Sequence, residues 1–276
     1  MNPEDEGRAA AKKFRDDHRL GVQPIGDLIT LIEQTTGIDV AVVDAGNDEH
    51  GMAMKDPDRG FVIVAVARTP HPMRQRSSLA HELAHVLFED WDDPSKGGWR
   101  ERDGFEQRAD SFARHLLIPR GGLVDTFPGR SSLSLDDLSA AVQRFLVSPM
   151  MATIAFYGAS LVDAQTKAAW MSYSTPALAT RFGWSDRYRA LAGEADQTRA
   201  PQRLVARAVE GYLENVVSLA ALARLRGVPE SQVEEEMAAA GLHPSPVKTE
   251  WAQPGDLPTV DVDLSDLEEV HEGDRR

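Results

Sequence analysis

Residues 81–85 read His-Glu-Leu-Ala-His inside a stretch where Leu79, Leu83, Val86 and Leu87 recur three and four positions apart. That period predicts a helix from Met73 onward. Residues four apart on a helix sit about 40° apart in projection. His81 and His85 therefore leave one face, a turn apart. Two imidazoles so placed suit two corners of a tetrahedral metal site, with donors ~2.0–2.1 Å from the ion. Glu82 is rotated ~100° from His81. It can reach the open position without being a ligand, take a proton from water there and return it to a leaving amine. The rest of the chain must then fold so that a second element brings a third ligand to this face.

The donor must be nitrogen or oxygen, because the chain contains no cysteine. That also excludes disulfides, iron–sulfur clusters and thiol nucleophiles. A metzincin extension would need Gly at 88 and His at 91, where this chain has Phe88 and Trp91. Glu89 lies on the same helix, and three donors strung along one helix face span about 12 Å. A further amphipathic helix, carrying Phe105, Ala109, Phe112, Ala113 and Leu116 and closed by Pro119, offers Glu106. The intervening loop, Asp92 to Gly98, can turn the chain back. Asp110 shares the Glu106 face and can accept a hydrogen bond from the outer nitrogen of a ligating histidine. His115 projects ~180° from Glu106 and is a poor ligand candidate. His71 and Tyr157 could stabilise an oxyanion, but neither has local support, and that role is left unassigned. Arg74 and Arg76, just before the motif, are either structural or contacts for a substrate backbone.

Upstream, the signals change from helix to strand. The first twenty residues suit a surface helix stopped by Gly21. Pro24 opens a second helix, with Ile25, Leu28, Ile29 and Ile32 on one side and Gly37 as its stop. Ile38–Val43 reads as a strand, Asn47-Asp48 as a turn, Gly51–Met54 as a short strand and Phe61–Val66 as the strongest strand. Short turns between neighbouring strands predict an antiparallel meander. Downstream, helices are expected over Asp136–Leu146, Pro149–Gly158 and Arg203–Arg226. No apolar run approaches the ~20 residues of a membrane span. The polar N-terminus lacks the apolar core of a signal peptide, so a cytoplasmic setting is expected.

Two segments resemble a known family. Residues 76–88 (RSSLAHELAHVLF) are similar to the active-site helix of the ImmA/IrrE metallopeptidases. Residues 105–119 (FEQRADSFARHLLIP) are similar to that family's second motif, E-x-x-A-x-x-F-A-x-x-L-L-x-P. The likeness covers about residues 8–160. It implies an α+β, zincin-like fold of helices around a small antiparallel sheet of about three strands. It implies zinc held by His81, His85 and Glu106, with Glu82 as general base; the sequence leaves the choice between zinc and manganese open. The implied partner is a helix-turn-helix repressor of the Xre type, cleaved to relieve repression in stress responses or in phage and mobile-element regulation.

The resemblance divides the chain into a peptidase-like region over 1–160, a helical C-terminal region over 161–242 and a disordered acidic tail over 243–276. Net charge is −14, and residues 229–276 hold 13 Asp or Glu against 3 Lys or Arg, so −10 of it sits there. Such acidity argues against direct nucleic-acid binding. Ser218–Val233 has the look of half a helix-turn-helix, but its second helix carries Glu234, Glu235 and Glu236, which would face phosphate badly. With Arg203, Arg207, Arg224 and Arg226 on the preceding helices, a protein-partner surface fits better. Within the tail, Thr259–Leu264 alternates apolar and acidic residues, as an edge strand, a partner-binding peptide or simply a solvated segment. A rival functional class follows from these features: a non-catalytic regulator that holds a repressor through its C-terminal helices or acidic tail.

Overall fold

The computed structural model describes residues 2–46, 51–91, 99–129 and 132–246. The turn expected at Asn47-Asp48, the loop at Asp92–Gly98 and the tail beyond residue 246 lie outside the described residues.

Helix α1 spans Pro3–Asp17, with the Asn2 side chain accepting from the Asp5 amide and a proline at its start. It ends before Gly21, because Arg19 takes the left-handed conformation (φ 54°) and the Leu20 amide closes onto the Arg15 carbonyl. Helix α2, Leu28–Thr36, starts later than Pro24 predicts. Asp27 caps it by accepting from the Thr30 amide, and Gly37, at φ 70°, ends it.

Strands β1 (Asp39–Val43), β2 (Gly51–Lys55) and β3 (Val62–Ala67) form one sheet in the order β1-β3-β2. The three strands are as expected, but the sheet is mixed, not an antiparallel meander. β1 runs parallel to β3, and only β2 is antiparallel to it. Burial explains the correction. β1 and β3 are valine-rich and mutually most apolar, so they pair. Gly51-Met-Ala-Met-Lys55 covers less core and takes the edge. The outer edge of β1 is closed by a single antiparallel bridge between Val42 and Arg199.

Helix α3, Pro72–Phe88, packs on the sheet face that carries Val40, Val42, Val64 and Val66, all at most 4% exposed. Helix α4, Trp99–Leu117, runs back along α3 and is clasped on its other side by α1. The α1–α4 approach is close. A Cβ on Gly7 would sit 2.3 Å from the Arg108 carbonyl oxygen, so only glycine fits there. Phe14 meets Phe112 edge-on, with ring centroids 6.2 Å apart. The buried Arg15 guanidinium donates to the carbonyls of Leu116, Gly21 and Gln23, and burial pulls its pKa down to about 10. α1 is thus a core element rather than a surface helix.

The remaining helices are α5 (Arg120–Thr126), α6 (Leu135–Phe145), α7 (Pro149–Gly158), α8 (Ala164–Trp170), α9 (Thr175–Arg181), α10 (Ser185–Ala195), α11 (Gln202–Leu213), α12 (Leu219–Arg226) and α13 (Glu230–Ala239). The expected helical run over Arg203–Arg226 is broken into α11 and α12, with Ser218 capping the second. The main core continues through Trp170, Leu178, Ala179 and Trp184. The Trp184 indole N–H donates to the Ser139 hydroxyl within it, 3.0 Å away. A separate small cluster joins α12 and α13 through Leu222, Ala223, Val233 and Met237. Among the described residues no single helix is long and apolar enough to cross a membrane.

Candidate metal centre

α3 starts on Pro72, whose missing N–H costs nothing in the first turn. It ends where Glu89 adopts φ 57°, letting the chain fold back so that the Asp90 amide donates to the His85 carbonyl. α4 lies antiparallel to it, so His81 meets Asp110 while His85 meets Glu106.

Donor atoms of three residues converge, Glu106 turning one oxygen to each histidine. His81 Nε2 lies 3.0 Å from His85 Nε2 and 3.0 Å from Glu106 Oε2, and His85 Nε2 lies 3.6 Å from Glu106 Oε1. Donors ~2.0–2.1 Å from one tetrahedral ion sit about 3.3 Å from each other. The observed separations bracket that value. Two neutral imidazoles and one carboxylate are a donor set suited to zinc. The two histidine side chains are 19% and 15% exposed, and Glu106 is 59% exposed, so the triangle opens to solvent on the Glu106 side.

Both imidazoles are oriented from behind. Asp110 Oδ1 is 2.9 Å from His81 Nδ1, the geometry of an N–H donating to a carboxylate, which leaves Nε2 with its lone pair. Burial lowers the His81 pKa, but Asp110, Glu106 and Glu82 outweigh it and raise it above the ordinary imidazole value. His85 has a partner that sequence periodicity does not reveal. Its Nδ1 is 3.3 Å from Oδ2 of Asp90, whose side chain is only 7% exposed. Asp90 in turn accepts from Arg108, and Arg108 reaches back to Glu6 of α1 at 3.5 Å. The same guanidinium lies over the rings of Phe88 and Phe105, 4.3 and 4.7 Å from their centroids. The signal that could have exposed Asp90 is the helix stop. A left-handed residue at 89 swings the next side chain back over the last turn, beside His85.

Glu82 points toward the sheet. A Cβ built on Gly51 would lie 2.7 Å from its Cγ and 3.0 Å from its Oε1. β2 therefore presents bare backbone to the Glu82 stem at the one position where a side chain would push it away. Its outer edge pairs with no strand among the described residues.

The other candidates fall elsewhere. His115 pairs with Glu4 at 3.1 Å; burial lowers its pKa in spite of that partner. His71 caps the far end of α3, ten residues or about 15 Å from His81. Tyr157 lies under Lys167, with its ring centroid 4.5 Å from the ammonium. Arg76 is structural. Half-buried, it donates to the carbonyls of Leu146, Gly26 and Ile25, and desolvation brings its pKa to about 10. Arg74 lines a polar cleft with His71, Gln75 and Ser78, next to the ends of β1 and β3. In the α12–α13 hairpin, Glu236 is taken up by Arg226 of the preceding helix; on α11, Arg203 is taken up by Asp39 and the Gly37 carbonyl.

Residues 34–156 match the family described as Peptidase_M78, IrrE N-terminal-like domain, a segment that contains residues 81–85, 90, 106 and 110. No curated protein matches the chain.

Proposed function

Because the chain carries an ImmA/IrrE-type metallopeptidase domain over residues 34–156, we propose that it is a zinc-dependent endopeptidase acting on a helix-turn-helix repressor of the Xre type. The observation that carries the reading is the convergence of His81, His85 and Glu106, whose donor atoms lie within 4.8 Å of one another beside the Glu82 side chain. His81, His85 and Glu106 would hold the zinc, which when bound would supply Lewis-acid charge and a lowered pKa for water at the site. Glu82 acts as general base and then passes the proton to the departing amine. Asp110 and Asp90 are positioning residues. Each holds one imidazole by its Nδ1 so that both Nε2 lone pairs aim at a common point. The open edge of β2 offers main-chain donors and acceptors to an extended substrate segment, and Gly51 on that strand touches the base.

The repressor assignment rests on the family resemblance. It is tested by incubating the zinc-loaded chain with Xre-type repressors, beginning with any encoded beside it, and reading the cut by mass spectrometry. Glu82→Gln should retain one zinc per chain and lose cleavage by about 10²–10⁴-fold, the usual worth of a positioned general base. A Glu82→Gln protein that cleaves at the parent rate would remove Glu82 from the mechanism. Derepression in cells that survives Glu82→Gln would favour the non-catalytic regulator instead.

A further inference from the structure

The two faces of the sheet are covered unequally. Register sets Val40, Val64 and Ala53 in one row and Val42, Val66 and Gly51 in another, both facing α3. The alternate rows, Asp39–Ile63–Met54 and Ala41–Ala65–Met52, face the other way. There Met52 and Met54 are 48% and 50% exposed, and Phe61 and Leu204 beside them are 52% and 42% exposed. A groove of about 680 Å³ runs between this face and the first half of α11, lined by Met54, Phe61, Ile63, Leu204, Arg203 and Arg207. Three large, exposed apolar side chains around one groove, Met54, Phe61 and Leu204, mark a docking surface. Its rim is mixed but leans positive. Asp39 is neutralised by Arg203 and Asp56 stands at the edge, while Lys55 and Arg207 make no ion pair among the described residues.

The chain itself holds a matching segment. In extended form, Thr259-Val-Asp-Val-Asp-Leu264 places Val260, Val262 and Leu264 on one side and Asp261 and Asp263 on the other. The chain leaves the described residues from the far end of α11. The Ser245 amide donates to the Leu213 carbonyl and Asn215 Nδ2 donates to the Ser245 carbonyl, each at 2.8 Å. Returning from Leu213 to Leu204 covers about 14 Å. The fifteen residues from Ser245 to Val260 can span up to about 50 Å.

We propose that residues 259–264 dock as an extended segment in this groove, with Val260, Val262 and Leu264 against Met54, Phe61 and Leu204 and the two aspartates toward Arg207 and Lys55. Docking places acidic chain on β2, the strand whose other end meets Glu82, and it stands independently of the peptidase reading.

A cysteine-free sequence makes the test direct, since any introduced pair is unique. The full-length Leu204→Cys, Val262→Cys variant is oxidised under dilute, mild conditions. It is compared with Val216→Cys, Val262→Cys. Val216 is 78% exposed and neighbours Asn215, where the tail leaves, so an undocked tail finds position 216 at least as fast. Docking predicts an intramolecular disulfide to position 204 that forms at least about tenfold faster than to position 216. Equal or slower closure overturns the proposal. So does a product dominated by disulfide-linked dimers, which assigns the groove to a second copy. Adding Asp261→Lys and Asp263→Lys to the first pair should slow closure at least about fivefold. An unchanged rate overturns the pairing of these acids with Arg207 and Lys55.

Discussion

Gly51→Ala separates the proton-carrying step from metal binding and from folding. The added Cβ would stand 2.7 Å from Glu82 Cγ, 3.1 Å from its Cδ and 3.0 Å from its Oε1. Carbon atoms in ordinary contact stand ~3.5–4.0 Å apart, so the Glu82 stem must retreat by about 1 Å. The stem is a flexible chain, and an off-rotamer adjustment costs about 0.5–1.5 kcal/mol. Alanine recovers about 0.5–1 kcal/mol of the entropy that glycine loses in a strand. Stability should therefore change by less than about 1 kcal/mol, a shift of a few degrees in Tm. Zinc content should stay at one per chain, because the three atoms nearest the added Cβ all belong to Glu82 and none to a donor residue. Cleavage is different. A misplacement of about 1 Å at a reacting group costs on the order of 10²-fold, so kcat/KM for repressor cleavage should fall by about that factor. The assays are differential scanning calorimetry, metal analysis by mass spectrometry and a gel-based cleavage time course. Parent-level kcat/KM in a zinc-loaded Gly51→Ala protein would show that β2 does not hold the base. Loss of zinc would show that the strand and the donor triangle are coupled, which the geometry denies.

Three other substitutions or titrations follow. Asp90→Asn should weaken zinc affinity by about 10–100-fold, measured by competition with a chelator, because His85 loses the carboxylate that orients it. Arg15→Leu strips buried carbonyls of Leu116, Gly21 and Gln23 of their donor and should cost about 4 kcal/mol, or roughly 10 °C in Tm. In the zinc-free chain, proton NMR should find His81 titrating above the free imidazole value and His115 below it. Their linkage signs oppose. The raised His81 pKa stabilises the fold below the unfolded value and loses that contribution as pH rises through the folded one. The lowered His115 pKa costs stability as pH falls through the unfolded value. Zinc reverses the His81 preference, because only the neutral ring can bind it.

The centre was more legible in the sequence than the sheet. A spacing of four on a helix is a local property, so His81 with His85 and Glu106 with Asp110 could each be assigned to one face without knowing the fold. Asp90 escaped because its position depends on the backbone reversal at Glu89, and a glutamate at φ 57° carries no periodic signal. Strand existence was equally local, but strand order was not. Short connections suggested that β1 and β2 are neighbours. The gain from pairing two valine-rich strands, β1 and β3, is a long-range term that turn lengths do not contain. α1 was underestimated for a related reason. Its charged residues dominate the composition, whereas its role turns on Gly7, Ala11 and Phe14, three small or apolar positions on a single stripe.

The Glu6–Arg108–Asp90–His85 chain of contacts also bears on how much of the polypeptide the centre depends on. The family match begins at residue 34, yet the helix that braces Arg108 ends at Asp17. A polypeptide trimmed to the matched boundaries would keep His81, His85 and Glu106. It would also expose Phe112 and release one end of the brace behind His85. The segment that holds the centre rigid thus reaches beyond the matched residues, to a helix that contributes no donor to the triangle.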